Sequence, residues 1–208
     1  LAGRARVVAC CDRELLLAEQ LAARYRIPRH YDDFAALLDR ERPDVVHVTA
    51  PPQAHLPLAR QALDAGCHVY VEKPFTLSGA DSRALIAHAE HAGRKLTVGY
   101  ASFFDPPALR MRELIGEGRL GEVVHVESFW GYDLDSSFGR ALLADRSHWV
   151  HELPGKLFGN VIDHAVSKIC EFLPDEQPRV LAHGYTLRPE RFGDERDLLQ
   201  DELRVILA

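Results

Sequence analysis

The sharpest local chemistry in this sequence is Glu72-Lys73-Pro74, which closes the apolar run from His68 to Val71. Pro74 pushes Lys73 toward an extended backbone and ends the strand. The lysine then stands at the carboxyl edge of a sheet. There its ammonium can bond a substrate hydroxyl and hold negative charge on that oxygen. Glu72 is placed to orient it. Taken as a bare tripeptide, the same residues also describe an ordinary exposed lysine at a strand end. A second pair lies further on. Asn160 and His164 are four residues apart on a helical pattern, so their side chains meet on one face. A histidine held by an amide suits general base work near neutral pH. Read by pattern alone, the stripe they share with Asp163, Ser167, Lys168 and Glu171 is the wet side of an amphipathic helix. Its other side carries Phe158, Val161, Ile162, Ala165, Ile169 and Phe172.

Three more groups belong with these. Asp12 ends a strand and precedes a helix, where a carboxylate either accepts bonds from an adenosine ribose or caps the helix. Arg13 next to it would instead face a 2′-phosphate. Thr49-Ala50-Pro51-Pro52 is a rigid apolar exit from a strand, shaped to press on an adenine or nicotinamide ring. His55 just beyond it reads as a helix-start residue or as a further ligand contact. His148, Trp149 and His151 sit in a long aperiodic stretch and its exit; they either line a sugar site or are ordinary loop residues.

These groups need elements to hold them in place. Arg6 to Cys11 is an apolar run with β-branched residues and reads as a strand buried on both faces. Arg13 to Tyr25 has helical spacing, followed by a short strand at His30-Tyr31. Asp32 or Asp33 caps a helix through Phe34, Leu37 and Leu38, which Pro43 breaks. Asp44 to Thr49 is a strand, Leu56 to Ala65 a helix with Gly66 as its C′ residue, and His68 to Val71 a strand. Ser78 or Asp81 starts a helix ending at Gly93, and Lys95 to Tyr100 is a strand. Such alternation implies parallel strands with helices on both faces, a doubly wound α/β sheet. Ligands bind beyond the carboxyl ends of strands in such sheets, where Asp12, Thr49, Lys73 and Tyr100 fall.

After Pro107 the rhythm changes. A helix is expected from Ala108 to Ile115 and an alternating strand from Glu122 to Phe129. An aperiodic loop from Tyr132 to Val150, a helix from Gly155 to Leu173, and strands at Val180–Leu187 and Leu203–Leu207 follow. The boundary is placed near residue 120, giving a dinucleotide-binding domain over 1–120 and a substrate and oligomerisation domain over 121–208.

Composition narrows the class. The 208 residues are 47% hydrophobic and 27% charged, enough for a real core. The net charge is −6, with no basic block. That argues against a general nucleic-acid binder. No apolar run approaches the roughly 18–20 residues a membrane span needs. Cys10, Cys11, Cys67 and Cys170 form no C-x-x-C pair, which argues against structural zinc and for free thiols in a reducing, cytoplasmic setting.

Taken in order, VTAPPQAH at 48–55 and AGCHVYVEKP at 65–74 are followed by Val98-Gly99-Tyr100, Phe104-Asp105-Pro106 and GRLGEV at 118–123. This series resembles the Gfo/Idh/MocA family of oxidoreductases. The resemblance implies a Rossmann domain followed by an α/β domain with an open, mainly antiparallel sheet, whose outer face often forms an oligomer interface. It also implies reversible hydride transfer between NAD or NADP and a sugar, cyclitol or related alcohol. Lys73 matches the family lysine of the E-K-P motif, whose lysine–proline bond can be cis. PGKLFGNVIDH at 154–164 resembles the second-domain motif, with His164 on the catalytic histidine and Asn160 in place of an aspartate. A competing register puts Asp163 on the aspartate and Ser167 on the histidine.

Under the first register His164 takes the hydroxyl proton, Lys73 polarises the oxygen and Asn160 orients the imidazole. Asp12, Arg13, Thr49, Ala50, Pro51, Pro52, His55, Glu72 and Lys73 are the implied cofactor contacts. Tyr100, Trp149 and His151 are the implied substrate contacts. Two departures stand out. The glycine-rich phosphate loop has no counterpart in the sequence, which starts at what would be the second strand. Ala101, Ser102 and Phe103 stand where many relatives carry polar or basic residues. The alternative is a non-catalytic relative acting as a binding or assembly protein.

Overall fold

The computed structural model describes residues 5–131, 133, 136–170, 172, 178–186 and 202–207. The chain divides into two compact units, residues 1–99 and 100–208. The division falls between Gly99 and Tyr100, ahead of the position near residue 120 expected from the change in rhythm. The Tyr100 ring packs at a tilt on Phe103 in the second unit.

In the first unit, strands and helices alternate as β1 (Cys10–Cys11), α1 (Leu15–Tyr25), β2 (His30–Tyr31), α2 (Phe34–Glu41), β3 (Val45–Val48), α3 (His55–Asp64), β4 (His68–Val71), α4 (Gly79–His91) and β5 (Leu96–Val98). All pairings are parallel. β1 pairs with β2, and β3, β4 and β5 form a second ladder in that order. Two-residue periodicity sends Val46, Val48, Val69 and Val71 to one face. There they pack with Leu37 and Leu38 of α2, Ala59, Ala62 and Leu63 of α3, and Leu85 and Ala89 of α4. On the other face His47 stacks on Tyr70, with centroids 4.7 Å apart at 17°.

Helix starts follow the capping residues. Asp33 is the cap of α2, its carboxylate accepting from the Ala35 and Ala36 amides at 2.8 and 3.3 Å. Ser78 is the cap of α4, its hydroxyl oxygen accepting from the Asp81 amide at 3.1 Å.

The run from Arg6 to Cys11 behaves differently from its expectation. Only Cys10–Cys11 is strand, and Val7 is 50% exposed. Among the described residues β1 has a ladder partner on one side only, so nothing holds residues 6–9 in a sheet.

In the second unit, α5 (Pro106–Gly116), α6 (Ser137–Ala144) and α7 (Lys156–Cys170) precede the antiparallel pair β6 (Val180–Tyr185) and β7 (Glu202–Leu207). Val150, Leu153, Leu157 and Val161 form a small core, backed by Trp149 and Phe158. The stretch read as a loop from 132 to 150 contains α6, opened by Ser136, whose hydroxyl oxygen accepts from the Gly139 amide at 3.0 Å. Residues 122–129, expected as a strand, form no ladder, and Val124 and Phe129 are each 87% exposed. An alternating pattern becomes a strand only with a neighbour to bond, and none pairs there among the described residues. Leu173 and Leu187, the expected ends of α7 and β6, lie outside the described residues.

Candidate functional site

Ladder bonds fix the carboxyl ends of the strands in the first unit. The Glu72 amide donates to the Val48 carbonyl at 2.8 Å, and the Gly99 amide donates to the Val71 carbonyl at 2.8 Å. At β1, the Asp12 amide donates to the Tyr31 carbonyl at 3.1 Å. Thr49–Pro52, Glu72–Pro74 and Gly99 therefore come together along one edge of β3, β4 and β5. Asp12 takes the same end of the neighbouring ladder. Thr49 and Pro51 are exposed at this edge, while Pro52 is buried. The Lys73–Pro74 peptide is cis. Lys73 is half-buried, and its amide donates to its neighbour's carboxylate, Glu72 Oε2, at 3.0 Å.

Gly99 serves this arrangement by having no side chain. A Cβ there would sit 2.8 Å from the Tyr70 hydroxyl and 2.9 Å from Glu72 Oε1. A side chain at Gly99 would therefore displace the Tyr70 hydroxyl and the Glu72 carboxylate from their places at this edge. The local sequence gives no sign of this, because the crowding comes from the adjacent strand.

His55 is fully buried. Its Nε2 lies 2.8 Å from the Ala50 carbonyl oxygen, and its Nδ1 lies 2.9 Å from that of Pro74 and 3.3 Å from that of Phe75. His55 is the first residue of α3, as its helix-start reading expects, and its ring is enclosed by backbone carbonyls.

Asp12 bonds locally through one oxygen. Oδ1 accepts from the Glu14 amide at 2.9 Å and shapes the entry to α1, while Oδ2 takes no hydrogen bond from the described residues. Arg13 is exposed, 3.8 Å from the Glu14 carboxylate. An open carboxylate oxygen, a rigid exposed turn and a lysine at successive strand ends fit the ribose and ring portions of a nicotinamide dinucleotide.

In the second unit, the polar stripe of α7 is not simply wet. Ser167 is buried, and both Asp163 carboxylate oxygens are shielded from solvent. Burial, together with the negative charge of Asp163 and the nearby Cys170 thiol, pushes the Tyr100 phenol up to about 12. Tyr100 is therefore a neutral hydroxyl at any ordinary pH. His164 and Asn160 are half-buried. The His164 imidazole stacks on Trp130, with centroids 4.4 Å apart at 18°, and the Lys168 ammonium lies over the same indole at 5.3 Å. Trp130 escaped sequence reading because it is far from α7 in the chain.

Trp149 backs the small core, and the His151 carbonyl accepts from the Lys156 ammonium. His148 Nδ1 accepts from the Val150 amide at 3.3 Å. These contacts serve the turn before α7.

Residues 2–100 match the model of a family described as an oxidoreductase family with an NAD-binding Rossmann fold. The chain is 36% identical over 125 residues to the 1-carboxy-3-chloro-3,4-dihydroxycyclohexa-1,5-diene dehydrogenase of Comamonas testosteroni, covering 60% of this chain and 32% of that protein. It is 35% identical over 117 residues to the D-glucoside 3-dehydrogenase of Escherichia coli strain K12, covering 56% and 33%. The crystal structure of an NAD-binding oxidoreductase from Klebsiella pneumoniae superposes with a TM-score of 0.72 at 27% identity, covering 86% of this chain and 47% of that one. The matches thus span about a third of each of these two curated relatives.

Proposed function

From the premise that residues 2–100 belong to the Gfo/Idh/MocA family of oxidoreductases, we propose that this protein interconverts a secondary alcohol and a ketone on a sugar, cyclitol or related polyol, with NAD or NADP as the hydride partner. The observation that carries this reading is the convergence of Thr49–Pro51 and Glu72–Lys73 at the carboxyl ends of adjacent parallel strands. The nicotinamide, when bound, accepts or returns the hydride of the substrate carbon.

The chain's own residues do the rest. The Lys73 ammonium donates to the substrate oxygen and holds the negative charge that develops as the hydride leaves. The His164 imidazole takes the proton of that hydroxyl, and its stack on Trp130 supports the resulting imidazolium. Asn160 orients the imidazole. Oxidation thus yields a ketone, a reduced nicotinamide and one proton. Asp12 holds the adenosine ribose, and Tyr100 donates a hydrogen bond on the substrate side. Trp149 and His151 act by shaping the turn before α7. A homo-oligomer built on the second-unit sheet and a cytoplasmic setting complete the reading. Among the described residues no helix is long and apolar enough to cross a membrane, and the four cysteines are free thiols.

A second reading, a non-catalytic binding or assembly protein, draws on Asn160. An amide cannot offset an imidazolium charge as a carboxylate does.

The test is a panel of sugars and cyclitols with NAD⁺ and NADP⁺, followed by the absorbance of reduced nicotinamide. Turnover is expected, and Lys73→Ala should lower it by about 10²–10³-fold with the circular dichroism spectrum unchanged. Turnover that survives the substitution would remove Lys73 from the mechanism. A panel without turnover, with no nicotinamide binding, would favour the assembly reading.

A further inference from the structure

His55 stands on α3, yet its bonds go elsewhere. Nε2 meets the carbonyl of Ala50 in the turn after β3, and Nδ1 meets the carbonyls of Pro74 and Phe75 after β4. Carbonyl oxygens only accept, so a bond at each ring nitrogen requires a proton on each nitrogen. The ring is also fully buried, which removes water as a substitute partner. An imidazole is flat and rigid, and its two nitrogens lie on different edges. A bridge of this kind fixes the distance and the angle between the two segments it joins.

We propose that His55 is a positioning residue, a spacer that sets the separation of the turn carrying Thr49–Pro51 from the turn carrying Lys73. Each ring nitrogen governs one turn. Nε2 holds the segment assigned to the nicotinamide, and Nδ1 holds the segment that aims the lysine. The assignment of what each turn does rests on the proposed function; the bridge itself does not.

Two amide substitutions separate the halves. His55→Asn keeps a donor close to the Nδ1 position, and His55→Gln keeps one close to Nε2. In the cofactor-free protein, His55→Asn should move the backbone amide resonances of Ala50 and Gln53 more than those of Lys73 and Phe75. His55→Gln should do the reverse. With cofactor and substrate, His55→Asn should raise the nicotinamide Kd several-fold more than it lowers kcat, and His55→Gln should lower kcat several-fold more than it raises that Kd. If both variants shift the same amides and lose Kd and kcat in step with Tm, the ring only fills space and the proposal fails.

Should either variant not fold, ring N–H correlations of the ¹⁵N-histidine-labelled parent decide. Two His55 ring protons, both protected from solvent exchange, support the bridge, and a single one or a freely exchanging ring overturns it. Absence of nicotinamide binding and turnover in the parent would sink the enzymatic reading alone, because the amide shifts still decide the bridge.

Discussion

Tyr100 is the residue whose ionisation the surroundings alter most clearly. Burial dominates, and the Asp163 carboxylate adds to it, so the phenol is held at about 12 against an ordinary value of 10.0. The raised value means the folded state keeps the proton more tightly than the unfolded state. The associated stability is fully present below pH 10 and is lost as pH rises from there to about 12. Thermal midpoints measured across this range should fall, and Tyr100→Phe should flatten that fall. A phenylalanine variant with the same alkaline loss would show that another group titrates. Residues differed in how plainly the sequence announced them. Lys73 was legible because Pro74 next to it marks a strand end. His55 was legible as the start of α3, but not its bonds, because its partners Ala50, Pro74 and Phe75 lie outside local helical spacing. Trp130 gave no signal at all, since its stack with His164 joins distant parts of the chain.

At the scale of elements, α7 shows how tertiary crowding selects a residue that helix propensity would reject. Gly159 lies in its first turns, where glycine costs about 1 kcal/mol relative to alanine. A Cβ at this position would run into the backbone carbonyl of Pro154, far inside contact distance. Gly159→Ala should therefore destabilise the second unit by about 1–3 kcal/mol despite the better propensity. Tryptophan fluorescence in a urea titration reads this directly, because Trp130 stacks on His164 of α7 and Trp149 backs the core that α7 shares. A raised midpoint would mean the Pro154–Gly155 turn relaxes at no cost. Helices with a polar cap were legible to within a residue or two, as Asp33 and Ser78 show. Strands were legible where a parallel partner exists, as for Val45–Val48 and His68–Val71. The alternating segment at 122–129 failed because periodicity specifies a face but not a neighbour. Helix α6 was missed because its Ser136-Ser137 start and Gly139 imitate turn chemistry.

For the whole molecule, the alternation of strands and helices over the first hundred residues was enough to identify a parallel sheet. Order along the chain determines which strand ends can carry a site. In the second unit the two strands of the antiparallel pair, Val180–Tyr185 and Glu202–Leu207, were legible, and the part that was not lies between residues 122 and 150. Global charge now adds a constraint on the cofactor. The chain carries −6, and the carboxylate at the end of β1 is Asp12. With the ribose held at Asp12 as proposed, NADPH brings a 2′-phosphate where NADH brings a hydroxyl that can donate to Asp12 Oδ2. Arg13, the cation nearest in sequence, is 92% exposed at its side chain and faces Glu14, so solvent screens it. NADH should therefore bind more tightly than NADPH. Because the penalty on the phosphate is electrostatic and long-ranged, the gap should narrow as salt rises. Asp12→Ala should weaken NADH by about tenfold, the loss of a hydrogen bond to a charged acceptor, while leaving NADPH unchanged or tighter. Fluorescence titration of both dinucleotides at two ionic strengths checks this. NADPH binding the more tightly, with affinity lost in Arg13→Ala, would assign the choice of cofactor to the arginine and leave Asp12 with the entry to α1 as its task.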